Sequence, residues 1–186
     1  MRSLIGSIRA LLMALLLVAP VPAIAGSYVD SAALDELFAE LKAAPSVSEA
    51  NAIVSEIWTV WFSPDNPDLK GRMGKATVAM TRGDLAEAIA VYTEVTEAYP
   101  DYSEGWNQRA TLYYEIGNLE ASLADIAKVL ALEPRHFGAL SGRVMIYLRQ
   151  GKRELALEDM RAAIAINPYL SSKELFPELA PNVTHV

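Results

Sequence analysis

The chain contains no cysteine. Disulfides, thiolate metal sites and cysteine nucleophiles are therefore excluded. Histidine is nearly absent: His136 and His185 are the two among 186 residues. A metal site would have to be built mostly from carboxylates, and their spacing does not favour one. Positive charge is in deficit, with 16 Lys and Arg against 23 Asp and Glu and a net charge of −7. Such a surface repels phosphate backbones and argues against nucleic acid as a partner. The chain also lacks an HExxH motif, a glycine-rich phosphate loop and a nucleophile elbow. Ser141-Gly142 sits inside a periodic helical pattern, without the strand–turn–helix setting that a nucleophilic serine needs. Glu154, Glu158 and Asp159 cluster near Lys152, Arg153 and Arg161, and read as a solvated helix face. The chain is therefore expected to be no enzyme, and to hold no metal and no cofactor.

Long apolar runs are confined to the first residues, MRSLIGSIRALLMALLLVAPVPAIA. Arg2 and Arg9 precede the run Leu11 to Ala19, Pro20 and Pro22 break it, and Ala23-Ile24-Ala25 ends it. A basic start, a short apolar centre and a small-x-small exit describe a secretory signal peptide over 1–25. Cleavage after Ala25 would make Gly26 the mature start. In a bacterium this places the chain in the periplasm. The alternative is an uncleaved signal anchor in the inner membrane, although the run is short for a span of roughly 20 residues.

What the remainder has is a repeat. Pro100, Pro134 and Pro168 stand 34 residues apart, and Gly83, Gly117 and Gly151 keep the same step. The small residues Ala88, Ser122 and Ala156 follow it too. Each glycine lies between two amphipathic helical stretches, where a left-handed backbone angle ends the first helix cheaply. Asp84 and Asn118 are natural caps for the helix that follows, and Lys152 is not. Tyr92, Ile126 and Met160 fill the next turn of each second helix. A repeat of this period means stacked helical hairpins. Three units are expected, over 69–102, 103–136 and 137–170.

Before them, residues 26–68 read as an irregular hairpin. Its first helix runs from Ser31 to Ala43, with Leu34, Leu37, Phe38 and Leu41 on one face. Its second ends near Phe62, with Ile53, Ile57, Val60 and Trp61 as inner stripe and Trp58 beside it. Solenoid end units are commonly atypical because one face must meet water, so this hairpin is expected at the end of the series. After the repeats, residues 171–186 are expected to cap the last unit or trail as a tail. Leu175, Phe176, Leu179 and Val183 supply the apolar side chains, and Pro177 and Pro181 limit any helix.

These units resemble the tetratricopeptide repeat family. The match is carried in unit two by Trp106, Tyr113, Gly117, Ser122, Ile126, Val129 and Pro134. Unit three carries it by Leu140, Tyr147, Gly151, Ala156, Met160, Ala163 and Pro168. Unit one departs, with Arg72 in the tryptophan place and Ala79 in the tyrosine place. The chain also resembles small exported tetratricopeptide proteins of alphaproteobacteria. The resemblance implies an all-α, right-handed superhelical solenoid. It implies noncatalytic binding of a protein or peptide in a concave groove lined by the first helices.

The inward-looking places implied by the family are Lys70, Met73, Thr77, Met80 and Thr81 in unit one. They are Glu104, Asn107, Thr111, Tyr114 and Glu115 in unit two. In unit three they are Gly138, Ser141, Met145, Leu148 and Arg149. Arg109 and Arg143 share one place in successive units, with Lys75 in the first. These cations either meet ligand carboxylates, pair with acids of the adjacent unit or snorkel along the helix interface. The expected partner-binding set is Met73, Thr77, Met80, Asn107, Arg109, Thr111, Tyr114, Ser141, Met145 and Leu148. Met80, Met145 and Leu148 can instead pack on the C-terminal segment or a neighbouring hairpin. Self-association and a role as accessory structural subunit are the alternative functions. His136 reads as a loop histidine packed by Phe137.

Overall fold

A computed structural model describes residues 28–179. The leader, its expected cleavage site and the tail with Pro181, Val183 and His185 lie outside the described residues. Eight α-helices run through the described residues: α1 Ser31–Ala43, α2 Val47–Phe62, α3 Pro67–Thr81, α4 Leu85–Ala98, α5 Ser103–Glu115, α6 Leu119–Leu132, α7 Phe137–Arg149 and α8 Arg153–Ile166. Two short 3-10 turns follow, Ser171–Leu175 and Pro177–Leu179. The fold is an all-α solenoid of helix–turn–helix repeats.

Local chemistry sets the helix ends. The side chains of Asp30, Ser46, Asn66, Asp84 and Asn118 each accept a backbone N–H three residues on. Lys152 gives no such bond at the start of α8. The three repeat turns share one geometry. Gly83, Gly117 and Gly151 have φ of 73°, 81° and 72°. The amides of Asp84, Asn118 and Lys152 reach back to the carbonyls of Ala79, Tyr113 and Tyr147 at 3.0, 2.8 and 2.8 Å. Both traits define a Schellman end, which satisfies carbonyls the helix itself leaves open.

Inside each hairpin the small residue admits close approach. Ala88, Ser122 and Ala156 are buried, and the Ser122 hydroxyl donates to the Ala110 carbonyl at 2.7 Å. Tyr92, Ile126 and Met160 are buried one turn on. At the far end, Phe176 is buried against Val144, Ala156 and Met160, so the 3-10 segment covers the open side of the last hairpin.

The first hairpin departs from expectation. It does not continue the series from its end but lies along the junctions between units. The thirty-fourth place of each unit holds Tyr102, His136 and Leu170, and all three meet it. Tyr102 donates its hydroxyl to the Trp61 carbonyl at 2.7 Å. The His136 ring stacks flat on Trp61, 4.0 Å between centroids and 5° between planes. Leu170 joins Ile166 and Tyr169 against the hairpin's core of Leu34, Phe38, Leu41 and Ile57. The Tyr169 hydroxyl donates to the Ala44 carbonyl at 2.6 Å. Arg135 pairs with Asp35 at 2.6 Å and lies over the Phe38 ring. The physical reason is the aromatic content of α2. Trp58 and Trp61 need a wide apolar seat, and the junctions with Phe137 provide one.

Beneath Trp61 lies a buried polar cluster. His136 caps α7: its Nδ1 accepts the Ala139 amide at 3.1 Å. The ring proton is thereby assigned to Nε2, which donates to Glu104 Oε2 at 3.0 Å. Asn107 Nδ2 lies 3.1 and 3.2 Å from the two Glu104 oxygens, and Gln108 Nε2 lies 2.6 Å from Oε1. Glu104 and His136 are both fully buried. Burial first, and then the Glu104 charge, push the Tyr92 phenol up to about 12 and the Tyr102 phenol up as well. Reading His136 as a loop histidine packed by Phe137 is thus corrected: it is a helix cap, and its ring meets Trp61 and Trp58.

Two substitutions separate seat from propensity. A Cβ on Gly138 would stand 2.7 and 2.9 Å from ring atoms of Trp58, whereas one on Gly142 would stand 3.7 Å from Ile126 Cδ1. Gly138→Ala should lower the urea midpoint, and Gly142→Ala should raise stability by about 0.5–1 kcal/mol through helix propensity. Equal shifts of one sign would contradict this packing. Glu104→Ala strips three donors of their shared acceptor and should cost about 3 kcal/mol in urea unfolding, with loss of near-ultraviolet circular dichroism from Trp61. An unchanged midpoint would refute the cluster.

Candidate partner-binding groove

The first helices α3, α5 and α7 carry the face expected to line the groove, and the first hairpin covers part of it. Glu104, Asn107 and Gly138 were expected to look inward to solvent. Glu104 is buried, Asn107 is 6% exposed, and Gly138 lies against Trp58. The end of the groove at the helix N-termini is therefore occupied by α2.

An open cleft remains between α5 and α7, of about 110 Å³. Thr111, Tyr114 and Met145 line it with Asn107 at its covered edge, and Ala110, Ser122, Ala139 and Gly142 form its small-residue floor. Thr111 is exposed and its hydroxyl donates to the Asn107 carbonyl at 3.0 Å. Met145 is 40% exposed. The Arg149 guanidinium stands 5.9 Å from the Tyr114 ring centroid and frames the outer rim. The volume falls below the roughly 300 Å³ usual for small-molecule sites, so it suits a single aliphatic side chain better than a cofactor.

The other expected site residues are placed elsewhere. Met73 is 5% exposed and belongs to the core of the first repeat, so it is corrected from groove to core. Met80 is half-buried, and its sulfur accepts from the Tyr92 hydroxyl at 3.5 Å. Thr77 is exposed and donates to the Met73 carbonyl at 3.0 Å, but it does not line the cleft. Leu148 packs on the cluster around Phe176, as the alternative reading anticipated. Ser141 is half-buried beside the cleft and does not line it.

Arg109 is corrected most plainly. Its Nε and Nη2 hold both Asp125 oxygens at 2.7 and 2.8 Å, and Nη1 reaches the hydroxyls of Thr93 and Thr96. The guanidinium is spent on its own unit's second helix and on the preceding one. The hydrogen bond to Asp125 raises its pKa further, against the opposing effect of burial. Arg143 does the same with Asp159, at 2.7 and 2.6 Å. Asp159 thus leaves the solvated acidic face assigned to it, while Glu154 and Glu158 remain exposed. The partner acid lies in the same unit, not the adjacent one. A signal for this was present: both arginines precede their aspartates by 16 residues, and both pairs recur at 34. Lys75 has Val91 at that spacing and stays exposed.

Among the described residues no group of three or more His, Cys, Asp or Glu is placed to hold a metal ion. No helix among them is long and apolar enough to cross a membrane.

Comparison with known proteins agrees with this architecture. A sequence model of the tetratricopeptide repeat matches residues 65–103, 73–125 and 107–171. A TPR repeat-containing protein of Rhizobium etli is 33% identical over 81 residues, 44% of this chain and 40% of the relative's length. The chain thus accounts for less than half of that relative. Among solved structures, a tetratricopeptide repeat protein from Parabacteroides merdae superposes with a TM-score of 0.54 at 22% identity, covering 77% of this chain and 56% of that one. YrrB, described as a TPR protein with an unusual peptide-binding site, gives 0.50 at 22% identity over 74% of this chain and 81% of its own. A MamA structure gives 0.50 at 18% identity over 78% and 77%. These likenesses show the fold. With matches spanning most of the repeats, and with three equivalent glycine turns, this chain belongs to the tetratricopeptide repeat family.

Proposed function

We propose that this protein is an exported, noncatalytic binding module that holds a partner protein segment in the cleft between α5 and α7. The observation that carries the reading is the open cleft itself, with Tyr114 and Met145 as apolar walls above a floor of small residues. Repeat arrays of this kind use their concave first-helix face for recognition. Tyrosine and methionine bury apolar peptide area at low specificity cost, and Thr111 offers a hydroxyl at the rim. Because α2 fills the other end, the accessible stretch is short, and one aliphatic side chain of the partner is the natural anchor.

Export rests on the leader: Arg2 and Arg9, the run from Leu11 to Ala19, and the Ala23-Ile24-Ala25 exit. In a bacterial cell this gives a periplasmic location. Mass spectrometry of the protein purified from its native host should find an N-terminus at Gly26. A chain retaining residues 1–25 would overturn cleavage and favour the anchored form.

Asn107→Ala is a poor probe of the cleft, because it also removes a donor to buried Glu104. A photo-crosslinking residue at Met145 is better, with one at exposed Glu158 on the second-helix side as control. In cells, the Met145 position should give a discrete adduct that Thr111→Arg abolishes, and the Glu158 position should not. Identical adducts from both positions, or an adduct indifferent to Thr111→Arg, would remove the cleft from the function.

A further inference from the structure

We infer that the outward face of the first hairpin is a second docking surface, and that it takes a cationic amphipathic helix of a partner protein. This face is separate from the cleft between α5 and α7. Ala33, Glu36, Leu37 and Glu40 of α1 and Glu56, Thr59 and Val60 of α2 enclose an open groove of about 430 Å³. Leu37 and Val60 form an apolar floor, half-buried on the hairpin core. Glu36 and Glu40 stand on one wall, an i,i+4 pair, and Glu56 stands on the other. All three are exposed, and none makes an ion pair or side-chain hydrogen bond with a described residue. Asp35, next in sequence to Glu36, shows the contrast, since Arg135 neutralises it.

Charge identifies the occupant. Residues 28–65 carry seven carboxylates and a single cation, Lys42. Residues 66–186 carry sixteen carboxylates against thirteen Lys and Arg. Most of the net negative charge of residues 28–186 is thus concentrated on the hairpin, and its unpaired carboxylates flank a greasy trough. Like charges at i,i+4 destabilise a helix slightly, so Glu36 and Glu40 are not placed there for the stability of α1. The complement is a helix with an aliphatic stripe flanked on both sides by Lys or Arg. Such a helix lies in the groove of two antiparallel helices as the third member of a bundle. The floor from Ala33 to Glu40 spans about two turns, roughly 10 Å.

The test uses the purified protein and a fluorescent peptide of about 18 residues made of leucine and lysine in helical register. A peptide of the same composition with the leucines scattered is the comparison. By anisotropy at low salt, the patterned peptide should bind at least about tenfold tighter than the scattered one. The triple variant Glu36→Gln, Glu40→Gln, Glu56→Gln should weaken it about tenfold or more, since each charge contributes modestly. Thr59→Arg, at an exposed position on the groove wall, should do the same without touching the core. Tyr114→Ala should leave this binding unchanged, which separates this surface from the proposed groove function. Equal affinity for both peptides, or no loss in the triple variant and Thr59→Arg, would overturn the proposal. So would loss of binding in Tyr114→Ala. Sedimentation showing self-association of the native protein that the triple variant abolishes would assign the face to a second copy and overturn it too.

Discussion

The Glu104 carboxylate is buried without a cation, and the placement of the first hairpin turns on how that charge is satisfied. Three uncharged N–H donors surround it, from His136, Asn107 and Gln108. A buried ion is tolerated when its lone pairs are filled and its donors are held in place. His136 is held from both sides: its other nitrogen caps α7, and Trp61 covers its face. The hairpin is thus the lid on a polar cluster that would otherwise be wet. The first helices of two adjacent repeats and the hairpin are tied at one point, because Glu104 lies in the first turn of α5 and His136 caps α7.

The repeats solve a different problem. Each hairpin has an apolar face that it cannot cover alone, so neighbours stack in register. The Arg–Asp pairs of the second and third units brace each hairpin internally, linking its first and second helices with two parallel hydrogen bonds. In the second unit the same guanidinium also reaches the preceding repeat through Thr93 and Thr96. The first unit lacks this device, with Lys75 and Val91 in the two places. It gains Tyr28 and Tyr99 instead, whose rings meet edge to face at 5.4 Å near Tyr102.

The functional consequence is a groove shortened from one end. A fully open array would offer inward-looking places along all three first helices. Here α2 takes the seats at Glu104 and Gly138, and the remaining opening lies where Tyr114 and Met145 diverge. The hairpin also carries most of the net negative charge of residues 28–186, so its outer face differs in charge from the cleft.

The architecture was legible in residues because each signal was local. A glycine with positive φ, a capping Asp or Asn and a closing proline act within one turn of their own position, and their 34-residue recurrence needs no knowledge of distant contacts. The two helices of the first hairpin were legible in the spacing of their apolar side chains, and the structure caps them with Asp30 and Ser46. Its docking was not. Nothing near Trp61 announces that it will stack on a residue 75 positions away, His136. Whether Met73 faces a ligand or a core depended on which side chains of the first repeat packed over it, whereas the Arg109–Asp125 pair was already signalled by its 16-residue spacing. Periodicity along a chain states which residues share a helical face. What covers the face is decided only when aromatic bulk, buried charge and the donors around it are satisfied together in three dimensions.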